Sequence, residues 1–264
     1  MLLAQYYDMG EKNIVKGMPY YSRAYRIGGE SSPELNTELW RVCMEVGQFK
    51  KSLKYIDQAI QLTGECNHFY PLGISFIFLE QYESGIQYLD SVCSISSCKE
   101  KCDQEKFKIY VHQKKFDSAD IYYKRLNHGD YEPNRHYQLF LAYYLKQTGN
   151  QEKGDSVLTS NIKQMEETYQ RKIKNVRIGL PAIDLDLVQA YAIKNDKENS
   201  IRILLRLEKG GYTFNLGHYM EYSPFFENLR NDPEVRDIIQ RYKKKDAETS
   251  KRVQEMLDHN EIRI

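Results

Sequence analysis

Residues 72–89 read LGISFIFLEQYESGIQYL, and this stretch decides the fold. Phe76 belongs to one predicted helix, Gly85 and Leu89 belong to the next, and Tyr82 falls in the turn between them. Small residues where two helices cross let the backbones approach, and large residues one turn further on fill the space between the helices. The stretch therefore predicts an antiparallel helical hairpin with a short connection.

Gly85 is one of six small residues that recur along the chain at the length of one such hairpin. They are Gly17, Ser52, Gly85, Ala119, Gly154 and Ser200, separated by 35, 33, 34, 35 and 46 residues. Four positions after each comes a bulky residue: Tyr21, Ile56, Leu89, Tyr123, Leu158 and Leu204. A period of about 34 residues predicts a stacked array of helix pairs.

The last interval of this series is longer than the others. Apolar residues continue across it at helical spacing, from Leu158 through Met165 to Ile173. We therefore expect the second helix of the fifth unit to be long, covering about residues 155–174.

The repeated pattern resembles the tetratricopeptide repeat family. Leu72-Gly73, with Phe76 three residues later, matches the Leu-Gly pair and following aromatic residue of that family. Residues 20–24 and 55–59 are similar to the core of its second helix. The resemblance implies an all-α fold: a right-handed α-solenoid of about six antiparallel helix pairs followed by C-terminal capping helices.

The C-terminal region departs from the repeat pattern. Residues 223–233 are similar to the closing segment that follows the last repeat of many bacterial tetratricopeptide proteins. Asp232-Pro233 is a helix start, with Asp as the N-cap and Pro at the first helical position. We therefore expect a solenoid over residues 1–208, and a cap with a charged tail helix over residues 209–264 in the same domain.

Charge and hydropathy restrict the classes of partner and the compartment. The chain has 38 basic and 37 acidic residues, which gives no basic face for nucleic acid. No window reaches the roughly 18 apolar residues of a membrane span. The opening residues MLLAQYYDMG do not form a signal peptide. We expect a cytoplasmic protein, or a periplasmic or exported one if an upstream signal has been trimmed.

The five cysteines are an odd number, which argues against a complete disulfide framework and favours free thiols in a reducing compartment. Cys93, Cys98 and Cys102 are the nearest approach to a metal motif. Their spacing differs from that of structural zinc sites, so we expect thiols packed between repeats. We expect neither a bound metal nor a cofactor.

No catalytic constellation stands out in the sequence. The six histidines are scattered, and no nucleophile elbow or His-Glu-x-x-His pattern occurs. Asp184 and Asp186 are interpreted as acidic residues that open a helix and complement its dipole. We therefore expect that the chain is not an enzyme.

The resemblance also implies a binding surface, because the first helix of each tetratricopeptide unit faces the concave groove. The predicted groove residues are Arg41, Tyr70, Ile74, Ile77, Lys108, Leu139, Tyr143 and Gln189. Their cations are too far apart to clamp a terminal carboxylate, and the centre of the groove is apolar and aromatic. Such anchors suit an extended or helical peptide. The alternative is that Tyr70, Ile74 and Tyr143 pack between units.

The leading hypothesis is a scaffold or adaptor that binds a peptide or protein segment in the concave groove. A second hypothesis makes the chain the sensory or regulatory arm of a larger signalling enzyme or transcription regulator. A third is a self-associating scaffold, a homodimer through the long helix near Met165 or the tail near Met256.

Overall fold

The structure is a computed structural model, and it describes residues 1–11, 13–64, 68–95, 98–127, 135–175, 180–210, 215–259 and 262. All regular secondary structure in these residues is helical, and neighbouring helices pack in pairs. The prediction of an all-α chain is confirmed. None of the described helices is both long and apolar enough to cross a membrane.

The described residues contain fourteen α-helices and three shorter helical turns. The helices are α1 (Leu2–Gln5), α2 (Ile14–Arg26), α3 (Pro33–Glu45), α4 (Phe49–Thr63), α5 (Phe69–Phe78), α6 (Tyr82–Ile95), α7 (Lys99–His112), α8 (Phe116–Leu126), α9 (Arg135–Gln147), α10 (Gln151–Asn175), α11 (Leu180–Ile193), α12 (Lys197–Lys209), α13 (Leu216–Tyr222) and α14 (Pro233–Asp258). A π-helical turn covers Tyr6–Gly10, and 3-10 turns cover Gly29–Ser31 and Pro224–Phe226.

Several helix boundaries follow from local sequence. Asp232 accepts hydrogen bonds from the backbone N–H groups of Glu234 and Val235 at 3.0 and 3.4 Å, so it caps α14 as predicted. This helix continues without a break to Asp258 and so includes the charged tail. Helix α10 covers the whole predicted long helix, 155–174. Helix α11 begins at Leu180, and residues 176–179 lie outside the described residues.

The turns within the helix pairs share one geometry. A single residue with positive φ ends the first helix, namely Gly47, Glu80, Lys114, Gly149 and Asn195 in the five turns from α3–α4 to α11–α12. The N–H group of the next residue donates to the carbonyl five residues earlier, at 2.7 to 3.1 Å. Both features belong to the Schellman ending of a helix. Each positive-φ residue precedes one of the small residues by five positions, so the repeat is a repeat of structure as well as of sequence.

The small residues lie where the second helix of a pair crosses the first. A Cβ atom added at Gly85 would lie 2.8 Å from the ring of Phe76, and one at Gly154 would lie 2.9 Å from the carbonyl oxygen of Ala142. Ser52, Ala119 and Ser200 are fully buried. The close approach predicted from the spacing is therefore present, and larger side chains would force the helices apart.

The chain divides into two compact units, and unit 1 comprises residues 1–109, 213–216 and 243–264. Within unit 1, helices pack on their neighbours and also touch the helix after next. Trp40 of α3 donates to Ser75 of α5 at 2.8 Å, and the hydroxyl of Tyr88 of α6 donates to Asp57 of α4. The Glu105 carboxylate approaches α5 at Gly73 of the Leu-Gly pair, so closely that a Cβ atom added there would collide with it.

Unit 2 comprises residues 110–212 and 217–242 and shows the same alternation. Arg135 of α9 forms an ion pair with Asp186 of α11 at 2.5 Å. Arg206 of α12 stacks its guanidinium 4.1 Å above the ring of Tyr169 on α10. Contacts between alternate helices are what stacked helix pairs require.

Candidate functional site

The predicted groove residues are largely inaccessible. Those that are buried are Ile74, Ile77 and Lys108 in unit 1, and Leu139, Tyr143 and Gln189 in unit 2. Arg41 of unit 1 is partly exposed. The side chain of Tyr70 lies outside the described residues. A partner could reach the six buried side chains only after neighbouring segments had moved.

Arg41 lies at the centre of an ion cluster in unit 1. Its guanidinium donates to Glu38 at 3.2 Å, to Glu45 at 3.0 Å and to Asp8, and Tyr21 donates to Asp8 at 3.1 Å. Burial raises the pKa of Glu45 to about 7; Arg41 opposes this shift, whereas the negative charge of Asp8 adds to it. The guanidinium is fully engaged by carboxylates of its own unit.

Lys108 has a partner on its own helix. Its ammonium group lies 2.5 Å from the Glu105 carboxylate, and both side chains are almost fully buried. Burial raises the pKa of Glu105 and lowers the pKa of Lys108, and the attraction between the two groups opposes both shifts. A buried ion pair of this kind is a structural element of the helix stack and offers no free cation to a ligand.

In unit 2, residues that follow α12 cover two of the predicted groove residues. Phe225 lies edge-on to Tyr143, with 5.3 Å between ring centroids, and the hydroxyl of Tyr219 donates to Gln189 at 3.0 Å. Burial raises the pKa of Tyr143 to about 12. These contacts match the alternative in which the residues pack between helices.

The cysteines contradict the expectation of free thiols. Cys93 of α6 and Cys102 of α7 form a disulfide, and Cys98 is also disulfide-bonded. The odd number of cysteines does not exclude disulfides, because Cys43 remains a free thiol. Burial raises the pKa of Cys43 to about 12, which suppresses the reactive thiolate. Among the described side chains, no cluster of three or more could hold a metal ion.

The interpretation of Asp184 and Asp186 is also corrected. Helix α11 begins at Leu180, so neither carboxylate lies in its first turn. Asp186 pairs with Arg135 at 2.5 Å and lies 3.4 Å from the ring of His136. Asp184 receives two hydrogen bonds from Arg206, one of them at 3.0 Å. Both residues join helices to one another, and burial raises the pKa of Asp184 despite its arginine partner.

The Arg206–Asp184 pair adjoins a cavity of about 710 Å³ in unit 2. Three helices supply its lining, namely Glu166, Glu167, Tyr169, Gln170 and Arg171 from α10, Leu187 from α11, and Arg202, Ile203 and Arg206 from α12. This volume is within the range of ligand pockets, roughly 300 to 1,000 Å³. The accessible part of the lining combines the Tyr169 ring with charged and polar side chains, because Leu187 and Ile203 are only 1% exposed.

Sequence reasoning missed this cavity. Its residues come from three helices and form no motif with regular spacing. The one available signal was the extra length of α10, because Glu166 to Arg171 all lie within it. No protein-family model matches the chain, and a search of curated proteins finds no match either, so the case for function depends on the geometry.

Proposed function

We propose that the chain is a non-enzymatic helical-repeat protein that binds a peptide or protein segment, as a scaffold or adaptor. The five equivalent turns and the contacts between alternate helices support a tetratricopeptide-like, right-handed α-solenoid of about six helix pairs with a C-terminal cap. Such an array provides extended surfaces for a partner.

The observation that carries this proposal is the cavity between α10, α11 and α12, whose accessible lining is aromatic, charged and polar. The predicted groove residues are less suitable, because six of them are buried and Arg41 is held by carboxylates. We therefore place the partner site in the cavity. Replacing Tyr143 by Ala would remove a ring packed on Phe225 and so lower the stability of the fold. A change in binding by this variant would therefore not report on the groove alone.

A peptide library tests the proposal with no assumption about the sequence of the partner. A random dodecapeptide library on phage is selected on the full-length protein, and the affinity of the enriched peptides is measured by fluorescence anisotropy. Gln170→Trp places a large ring at an exposed position in the cavity lining. Gln164→Trp, an exposed position of α10 outside that lining, is the matched control.

Loss of binding in Gln170→Trp, with binding retained in Gln164→Trp, would support the cavity as the site. Equal affinity in both variants would remove the cavity from the proposal. Failure of the library to yield any enriched peptide would overturn peptide binding as the function.

The disulfide bears on the compartment. Disulfides persist in oxidising compartments and are rare in the cytosol. The Cys93–Cys102 bond therefore supports a periplasmic or exported protein over the cytoplasmic one expected from the sequence.

A further inference from the structure

Helices α2 and α4 of unit 1 are strongly basic, although the whole chain has a net charge of only +1. Together the two helices carry six cations and a single carboxylate, that of Asp57. The cations are Lys16, Arg23 and Arg26 in α2, and Lys50, Lys51 and Lys54 in α4. The balanced total for the chain therefore does not show how the charge is distributed.

The two helices lie side by side. The ring of Tyr25 in α2 meets the ring of Tyr55 in α4 edge-on, with 5.5 Å between the centroids. The ammonium group of Lys54 lies 5.9 Å from the first centroid and 5.6 Å from the second. The cations next to this contact therefore share one surface, which we call the basic face. It comprises Arg23, Arg26, Lys50, Lys51 and Lys54.

Carboxylates do not match the cations of the basic face. Within the described part of the chain, none of its five members forms an ion pair. The sixth cation, Lys16, differs because it pairs with Glu11 at 3.3 Å. Asp57 accepts hydrogen bonds from the neutral side chains of Tyr88 and Gln61.

Two lysines of the basic face act on each other. Burial lowers the pKa of Lys51, the charge of Lys54 one turn further along α4 adds to this shift, and Cys43 opposes it. Like charges at this spacing on a helix repel one another. An anion placed between the two ammonium groups would relieve this repulsion.

The start of α4 adds to the imbalance. The helix begins at Phe49, its first turn contains no acidic residue, and the side chain of Gln48 forms no capping hydrogen bond. Lys50 and Lys51 therefore lie at the positive end of the helix dipole, where cations are unfavourable. The local sequence thus opposes the stability of the helix, which is expected where residues serve binding.

The surroundings of the cations favour one class of polyanion. Tyr25 and Tyr55 are 9% and 0% exposed, so these rings offer no platform on which bases of a nucleic acid could stack. Binding to an anionic membrane is favoured by apolar side chains beside the cations, but Leu53, between the lysines of α4, is half-buried. Carboxylate side chains need neither feature, because charge-assisted hydrogen bonds suffice.

We infer that the basic face binds an acidic segment of a partner protein, whose carboxylates contact Arg26, Lys50 and Lys54. These three side chains are exposed. Complementary charge of this kind speeds encounter and makes binding sensitive to salt. The surface belongs to unit 1, so the inference is independent of the cavity in unit 2.

A charged peptide of simple composition tests the inference. The probe is a fluorescein-labelled peptide of alternating glutamate and serine, blocked at its C-terminus so that only side chains supply carboxylates. Its affinity for the full-length protein is measured by fluorescence anisotropy at low and raised salt. The same peptide with glutamine for glutamate is the control ligand. We expect binding of the glutamate peptide alone, weakened by salt.

The protein variant is Arg26→Gln/Lys50→Gln/Lys54→Gln. The matched control, Lys163→Gln/Lys194→Gln/Lys209→Gln, removes three exposed lysines of unit 2 and so changes the net charge equally. Circular dichroism checks that both variants keep their helices. We expect about tenfold weaker binding in the basic-face variant and less than about threefold in the control, since each exposed pair contributes modestly. Gln170→Trp should bind the glutamate peptide as the wild type does.

Equal affinity of the two triple variants, or no binding of the glutamate peptide at low salt, would overturn the inference. Loss of binding in Gln170→Trp alone would also overturn it, because the acidic peptide would then use the cavity, and the proposed function would stand. Duplex DNA and vesicles of anionic phospholipid are compared at the same salt. If either bound more tightly than the peptide and lost affinity in the basic-face variant, the face would be reassigned to that partner.

Discussion

At the scale of single residues, the turns between paired helices share one left-handed backbone position, which is favourable for some of the residues that occupy it and strained for others. Gly47 and Gly149 occupy the left-handed position at no steric cost, whereas Glu80, Lys114 and Asn195 occupy the same position with a Cβ atom. A side chain there costs on the order of 1 kcal/mol relative to glycine. The geometry is kept because the hairpin requires it.

Glu80→Gly should therefore stabilise the protein by about 0.5 to 1 kcal/mol, because it relieves the left-handed strain at φ 54°. Gly149→Ala, at the equivalent position with φ 87°, should destabilise it by a similar amount or more. Urea unfolding followed by circular dichroism measures both. A loss of stability in Glu80→Gly would show that the turn is not left-handed in solution.

Glu45 leads to a pH prediction. Its carboxyl has a raised pKa of about 7 in the fold, against a usual value of 4.5, because it is buried near Asp8 and Asp246, although Arg41 and Lys245 oppose the shift. Between these two values the folded state holds a proton that the unfolded state releases. Rising pH therefore lowers the free energy of unfolding across this window, by up to about 3 kcal/mol from this group.

Glu45→Gln removes this titration, so the variant should gain stability relative to the wild type as the pH rises from 5 to 8. Urea unfolding at each pH unit gives the two curves. Glu38→Gln also removes a carboxylate partner of Arg41 and is the control for the lost ion pair. Parallel curves for wild type and Glu45→Gln would contradict the prediction.

At the scale of helices, the pairing of α6 with α7 combines a covalent bond with packing. The disulfide joins residues nine positions apart, with Cys102 fully buried. A bond that closes a loop of this length restricts the unfolded chain and stabilises the fold by roughly 2 to 3 kcal/mol in the chain-entropy model.

Cys93→Ser/Cys102→Ala should therefore lower the free energy of unfolding by about that amount. The reductant dithiothreitol should destabilise the wild type more than it destabilises this variant. In an unreduced tryptic digest, the peptide of residues 55–99, which carries Cys66, Cys93 and Cys98, should stay linked to the peptide that contains Cys102, and tandem mass spectrometry of the linked pair should identify Cys93 as the partner. Unlinked peptides from freshly prepared protein would restore the free-thiol interpretation.

At the scale of the whole molecule, segments distant in sequence complete unit 1. Asn215 donates to the carbonyl oxygens of Met44, at 2.5 Å, and Glu45, at 3.0 Å, and Ser250 donates to that of Val46 at 2.5 Å. These carbonyls lie at the end of α3, where a helix leaves acceptors without intrahelical partners. The tail thus closes the end of a helix about 200 residues before it in the chain.

Burial of this tail also bears on self-association. Met256 and Val253 are buried within unit 1, and Met165 of the long helix is buried within unit 2. The side chains on which a homodimer would be built are therefore occupied inside the chain, and we do not propose a self-associating scaffold.

Val253→Ala/Met256→Ala should destabilise the protein by about 3 kcal/mol or more, because it removes buried apolar volume. Amide hydrogen exchange should quicken around residues 46–52. Arg252→Ala/Glu255→Ala removes an exposed ion pair of the same helix and should cost less than about 1 kcal/mol. Equal unfolding curves for these two double variants would show that the tail is not docked on unit 1.

Much of the fold was readable from the sequence because it depends on neighbours within one hairpin. Gly85 and Gly154 each lie five residues after a left-handed turn residue and allow two helices to cross closely. This requirement concerns residues of one hairpin, so it appears in the sequence as a fixed spacing. The cap at Asp232 and the length of α10 are local in the same sense. By itself, the sequence determined the helical class, the hairpin period and these boundaries.

Tertiary structure alone decided which faces are covered and which stay open. Whether Tyr143 is exposed depends on Phe225, and whether Arg41 is free depends on Asp8; neither partner is a sequence neighbour. The cavity depends on Arg206 being held by Asp184 and Tyr169, from two other helices. Side-chain burial and ion pairing depend on segments that are distant in the chain, so they cannot be predicted from the spacing of residues in the sequence.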